Sequence, residues 1–149
     1  MNVADIMVRE VTTVRPEMSL EDLCEIFQLR HIHGAPVVDE DGNLVGIVTQ
    51  EDVVYGAMGL GRPSKDDRDL PGLVRGAGNP APAQGQVRTV ADIMTSPAIH
   101  IDEDASLQEV CKWMWALRIH RIPVVKDGKV TGIVSSMDVV HAIAGGTQA

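Results

Sequence analysis

Twice in this chain a hydroxyl residue is followed three positions later by an aspartate, just where an apolar run gives way to a helical pattern. Gly46-Ile47-Val48 leads into Thr49-Gln50-Glu51-Asp52, and Gly132-Ile133-Val134 leads into Ser135-Ser136-Met137-Asp138. The hydroxyl at such a junction can cap the helix. The positive helix end favours an ionised carboxylate, which can accept hydrogen bonds from both hydroxyls of a ribose. Upstream of the second copy, in Ile119-His120-Arg121-Ile122-Pro123-Val124-Val125, His120 and Arg121 can face phosphates. The first copy, Ile32-His33-Gly34-Ala35-Pro36-Val37-Val38, keeps the histidine and has glycine in place of the arginine. The chemistry that these residue types could perform is recognition of a nucleotide. Losing one charge-assisted contact of this kind costs roughly 1.5 to 3 kcal/mol. A plainer reading stands beside it: Asp52 and Asp138 as first-turn charges, Thr49 and Ser135 as caps, and His33 and His120 as half-buried structural side chains.

The elements that position these residues are duplicated. Val3-Ala4-Asp5-Ile6-Met7 recurs as Val90-Ala91-Asp92-Ile93-Met94, and Ser19-Leu20 as Ser106-Leu107. The two aspartates at 52 and 138 are one residue closer than this spacing, so the second hairpin turn is shorter by one. Such self-similarity divides the chain into repeat 1 (1–57), a Gly/Pro-rich connector (58–88) and repeat 2 (89–149). Each repeat opens with a short turn. An extended piece follows, 11–14 or 98–101, and then a helix capped by Ser19 or Ser106. Leu20, Leu23, Cys24 and Phe27, and Leu107, Val110, Cys111 and Met114, follow the helical period and should face a sheet, which makes the two cysteines core thiols. Strands over 35–38 and 122–125 run into Asp41-Gly42-Asn43 and Asp127-Gly128-Lys129, both read as two-residue hairpin turns. The returning strands end at Thr49 and Ser135, with closing helices over 50–57 and 137–144. Ile26, Leu29, Trp113, Trp115 and Leu117 lie off the core-facing rows, a surplus that suits a homodimer interface.

Length and charge narrow the function. At 149 residues, two halves must share a core, since neither alone buries enough apolar surface. The net charge is −8. Residues 1–54 carry 3 basic and 11 acidic groups, and no basic stripe exists to neutralise a nucleic-acid backbone. A DNA-binding regulator is therefore disfavoured. No apolar run is long enough to span a bilayer, and Asp5, Arg9 and Glu10 do not suit a secretory leader, so the expected location is the cytoplasm. The chain has no nucleophile elbow and no zinc constellation. His31-Ile32-His33 lacks a third ligand, so neither catalysis nor a metal is expected. The run 56–61 follows a helix and not a strand, unlike a phosphate loop. The connector reads as a tether, with a lid or partner contact as the less favoured alternative.

The order βαββα given twice, with Asp-Ile-Met, His-x-x-Pro-Val-Val and Gly-Ile-Val-[Thr/Ser]-x-x-Asp, resembles the cystathionine-beta-synthase (CBS) domain family over everything but the connector. The resemblance implies an α+β fold, a Bateman module in which two CBS repeats pack through their sheets about a pseudo-twofold axis. It further implies clefts for adenosine-containing ligands such as AMP, ADP, ATP or S-adenosylmethionine, and pairing of modules. Carried onto this chain, one cleft would combine His120, Arg121, Ile122, Pro123, Ser135 and Asp138 with Val14, Arg15 and Pro16. The other would combine His33, Ala35, Pro36, Thr49 and Asp52 with Ile101 and Asp102. Since Arg121 corresponds to Gly34 and Arg15 to Asp102, the first is expected to prefer phosphorylated ligands, and the second to be weaker for them, empty, or suited to a less anionic adenosyl compound. The function expected is a sensor that passes its ligand state to an unidentified target protein, with a ligand-independent dimerisation scaffold as the alternative.

Overall fold

Each long helix starts and stops for a local reason. In the computed structural model, which describes residues 1–59 and 87–146, Ser19 accepts a hydrogen bond from the Asp22 N–H at 3.1 Å, opening helix α1 (Leu20–Arg30). Ser106 does the same for the Glu109 N–H, also at 3.1 Å, opening the later helix Leu107–Leu117. Both end on a left-handed residue, His31 (φ 53°) and Arg118 (φ 51°), which reverses the chain into the following strand. The remaining elements are, in order, β1 (Gly34–Val38), β2 (Leu44–Thr49), α2 (Gln50–Ala57), α3 (Val90–Ile93), β3 (Ile101–Asp102), α4 (Leu107–Leu117), β4 (Arg121–Lys126), β5 (Lys129–Ser135) and α5 (Ser136–Ile143), with a 3-10 turn at Val3–Asp5. The connector reading concerns mainly 60–86, outside the described residues.

The chain forms two compact units: Met1–Thr12, Asp41–Leu44 and Ile99–Ala149 make one, and Thr13–Glu40 with Val45–Ala98 the other. These are the Asp138 unit and the Asp52 unit below. Neither is a sequence repeat taken whole, because the opening turns are exchanged. In the Asp138 unit, Val3, Ile6 and Met7 are buried with Val110, Met114, Ile122, Val124 and Val134, and the Val3 N–H donates to Ala105 O at 2.8 Å. In the Asp52 unit, Val90 is buried with Val14, Leu23, Phe27, Val37 and Val48, and Met94 packs against them. There the Val90 N–H donates to Met18 O at 2.9 Å.

Glycine makes the exchange possible. A Cβ added to Gly132 would stand 2.6 Å from Met7 Sδ and 3.0 Å from Val8 O; one added to Gly46 would stand 2.9 Å from both Met94 Sδ and Thr95 O. The methionine of each Asp-Ile-Met thus lies on the glycine of the other repeat's Gly-Ile-Val.

The sheets are small. In the Asp138 unit β3 runs parallel to β4, and β4 antiparallel to β5, with a register irregularity between Val124 and Val125. The Asp52 unit holds β1 and β2. Where an extended piece was expected over 11–14, only Val14 pairs, with Val37; in the second repeat the pairing falls at Ile101–Asp102 and not over 98–101. The second hairpin has the expected two-residue turn, Asp127 (φ 52°) and Gly128 (φ 80°). The first does not: its strands stop at Val38 and resume at Leu44. The extra residue lengthens the loop, leaving Gly42 as its one positive-φ residue.

The expected core thiols are another correction, for Cys24 and Cys111 are both exposed. Leu23 and Phe27 point the buried side of α1 one residue away from Cys24, and half-buried Ile26 packs on the core there, so it is not surplus surface. Val110 and Met114 orient α4 in the same way. No helix among the described residues is long and apolar enough to cross a membrane.

Candidate functional site

In each unit the hydroxyl residue and the aspartate singled out for nucleotide chemistry meet in one local construction. At the end of β5, Ser135 and Asp138 form a reciprocal cap. Asp138 Oδ2 accepts from the Ser135 N–H at 2.7 Å and from its hydroxyl at 2.8 Å, and the Asp138 N–H donates to Ser135 Oγ at 3.2 Å. At the end of β2, Asp52 Oδ2 accepts from the Thr49 N–H at 2.8 Å and its hydroxyl at 3.0 Å, and the Asp52 N–H donates to Thr49 Oγ1 at 3.4 Å. The cap role is thus real in both copies. One oxygen of each carboxylate is committed to it, so a ligand has to engage the other oxygen or displace the cap. The copies differ in access: Asp52 is 3% exposed, and Asp138 is half-buried.

The strand starts differ as well. His120 and Arg121 are both exposed. His33 is also exposed, but its Nδ1 lies 3.1 Å from Gln50 Oε1; at the matching position of the other copy stands Ser136, too short to hold a histidine this way. Ile122 and Ala35 are 1% exposed, and Pro123 and Pro36 are fully buried. In this conformation the side chains of these four belong to the cores.

Of the loop residues expected near each ligand, Val14 (1% exposed), Arg15 and Pro16 lie in the Asp52 unit, and Ile101 (6% exposed) and Asp102 in the Asp138 unit. Within its own unit Val14 flanks Pro36, its N–H donating to Pro36 O at 3.0 Å. Arg15 has its Nε buried without a hydrogen-bond partner, 3.7 Å from Glu17 Oε2. Asp102 lines a recess of about 310 Å³ together with His100, Asp104, Glu109 and Trp113. Three carboxylates there make it a poor place for a phosphate. Sequence reasoning left His100 without a role, and this clustering was invisible to it, because the recess joins a loop to a helix face two turns on.

A second feature missed in the sequence is a row of exposed apolar residues on α5: Met137 (70%), Val140 (55%) and Ile143 (72%). Trp113 (42%), Trp115 (87%) and Leu29 (69%) are exposed as expected, while Leu117 is half-buried. No group of three or more His, Cys, Asp or Glu residues able to hold a metal occurs among the described residues.

Comparison with known proteins points one way. Residues 3–59 and 90–145 match the model of the CBS domain. Two uncharacterized proteins of Methanocaldococcus jannaschii are similar over nearly the whole chain: MJ1404 (32% identical over 95% of this chain) and MJ1426 (31% over 96%). This chain spans 32% of the length of MJ1404 and 91% of that of MJ1426. Among solved structures, the CBS domain pair of protein MJ0100 in complex with 5′-methylthioadenosine and S-adenosyl-L-methionine is 27% identical, with a TM-score of 0.70 covering 97% of both chains.

Proposed function

Because this chain belongs to the CBS domain family as a tandem pair, we propose that it is a regulatory module that binds adenosine-containing ligands and passes its state to a partner protein. The observation that carries this reading is the similarity, over 97% of both chains, to a domain pair bound to S-adenosylmethionine and methylthioadenosine. The duplicated Ser/Thr-x-x-Asp caps support it, each setting a carboxylate at the start of a helix. Asp138, with His120 and Arg121 exposed on the same unit, is assigned to a phosphorylated ligand such as AMP or ATP. Asp52, whose neighbouring histidine is tethered and whose equivalent of Arg121 is glycine, is assigned to an adenosyl ligand without phosphates. The family resemblance further assigns Val14, Arg15 and Pro16 to the ligand of Asp138, and Ile101 and Asp102 to that of Asp52. A ligand can transmit anything only by favouring one arrangement over another.

Self-association belongs to the same reading, through the exposed apolar rows of α4 and α5. A specific observation also favours a second reading, a ligand-independent dimerisation scaffold: both aspartates already have a structural task as caps. Thermal melting with AMP, ADP, ATP, S-adenosylmethionine and 5′-methylthioadenosine separates the two. A ligand present at a hundred times its Kd adds about 2.7 kcal/mol of stability. A saturable rise in Tm with at least one compound is expected; no rise with any would leave the scaffold.

A further inference from the structure

We infer that Thr49 and Gly34 act as one specificity element: the threonine methyl keeps a cationic side chain out of the Asp52 site, where the serine of the Asp138 site admits Arg121. The inference rests on the adenosine-ligand reading of these same sites. The two sites share a register. The Gln50 N–H donates to His33 O at 2.9 Å, and the Ser136 N–H donates to His120 O at 2.9 Å. The residue after each histidine therefore meets the last residue of the returning strand: Arg121 pairs with Ser135, and Gly34 stands against Thr49. A Cβ on Gly34 would lie 3.3 Å from Thr49 Cγ2 and 3.2 Å from Val48 O, both inside ordinary carbon contact. The backbone part of that crowding is tolerable, since the same strand pairing carries a full arginine side chain in the other unit. What remains is the methyl.

That methyl has no freedom to move aside. The Thr49 hydroxyl is bound to the Asp52 N–H and to Asp52 Oδ2, which fixes χ1 of a β-branched side chain; swinging the methyl away would pull the hydroxyl out of the cap. Threonine with glycine, and serine with arginine, are therefore two alternative solutions to one local packing problem. The first withdraws positive charge from its site and adds a carbon wall; the second supplies a guanidinium, the side chain suited to phosphate. The choice between Ser and Thr, neutral for capping, selects between phosphorylated and unphosphorylated adenosyl ligands.

A four-protein cycle tests this: Gly34 and Gly34→Arg, each with Thr49 and with Thr49→Ser, and Gly34→Ala in both backgrounds as a variant without charge. Urea denaturation reads the packing, and titration calorimetry with ATP, with adenosine as control, reads the ligand. Gly34→Ala is expected to lower the urea midpoint beside Thr49 and to raise it in the Thr49→Ser background, since alanine is otherwise better than glycine in a strand. Gly34→Arg with Thr49→Ser is expected to gain tenfold or more in ATP affinity over Thr49→Ser at a second site per chain, Gly34→Arg alone less than threefold, and the ratio of ATP to adenosine affinity is expected to rise in the double variant only. Equal urea effects in the two backgrounds would overturn the inference. So would a coupled urea response without any gain in ATP affinity while the unmodified protein binds ATP, and that outcome would leave the ligand reading intact. If no protein of the set bound ATP or adenosine, the ligand reading itself would fail and take this role of Thr49 with it.

Discussion

Asp138 and Ser135 hold each other at both ends: one carboxylate oxygen takes the serine N–H and hydroxyl, and the serine oxygen takes the aspartate N–H. Removing the side chain therefore removes the carboxylate half of this reciprocal cap, leaving the Asp138 N–H on Ser135 Oγ, together with the group proposed to meet the ligand. Asp138→Ala is expected to lose about 0.5 to 2 kcal/mol of stability without any ligand, in addition to ligand affinity. Asp138→Asn keeps an acceptor for the Ser135 N–H and drops the charge. It should melt within a few degrees of the unmodified protein, yet bind AMP or ATP roughly tenfold or more weakly. Calorimetry beside a melting curve checks both; unchanged affinity in Asp138→Asn would take this residue out of ligand recognition.

Gly132 lies under Met7, and Gly46 under Met94. Gly46→Ala and Gly132→Ala are each expected to cost about 1 to 3 kcal/mol, the usual range for overpacking. Met7 and Met94 can bend away, but Val8 O and Thr95 O are backbone, so trimming the methionine should recover only part of the loss. Urea midpoints of the single and double variants provide the measure.

Glu103 and Lys126 form an ion pair at 3.0 Å, and Thr131 donates its hydroxyl to the same carboxylate at 3.1 Å. The Lys126 hydrogen bond holds Glu103 below the usual glutamate range, and Glu103 in turn raises Lys126. A depressed acid stabilises above its unfolded pKa and stops doing so as pH falls through its folded one; a raised base stabilises below its unfolded pKa and stops as pH rises through its folded one. The difference in urea midpoint between the unmodified protein and Lys126→Met should therefore be present at neutral pH and vanish at both acid and alkaline extremes. Asp92, lowered by the N–H groups of Arg88 and Thr89, contributes stability lost on the acid side in both proteins alike and so cancels from this difference.

Cys24 and Cys111 are exposed. Both thiols of the native protein are expected to react with a water-soluble disulfide reagent as fast as in urea. Slow reaction of either would show that an assembled form covers α1 or α4.

Val140 and Ile143 leave most of their surface open on α5. If modules pair through this row, Val140→Glu with Ile143→Glu should sediment as a monomer at micromolar concentration where the unmodified protein sediments as a dimer. A monomer in both would dismiss the interface.

Much of this architecture could be read from the chain because its signals are local. A hydroxyl three residues before an aspartate marks both caps, Asp127-Gly128 marks a turn, and helix α2 falls where its pattern begins and ends. The helix faces were read less well. Leu23 and Cys24 differ by one residue, about 100° of helix, and the apolar period alone does not say which of them is at the edge; Ile26 went to the core and Cys24 to the surface. The exchange of opening turns was not legible at all. Val-Ala-Asp-Ile-Met occurs in identical words at both places, so nothing in either copy names the glycine it will cover. The candidate site was legible as residue types, while the commitment of one oxygen on each aspartate to capping depends on a distance that no spacing reveals.

The exchanged turns carry a consequence for biosynthesis. A ribosome releasing this chain exposes Leu23, Phe27 and Val37 long before Val90 and Met94 arrive to cover them, and the hydrophobic surface of Val3 and Met7 waits until the final strands have emerged. The Asp52 unit can close as soon as Ala98 has emerged, whereas the opening turn of the Asp138 unit, the first segment made, must wait for β4 and β5, so the two units complete in the reverse of the order in which their opening turns are synthesised.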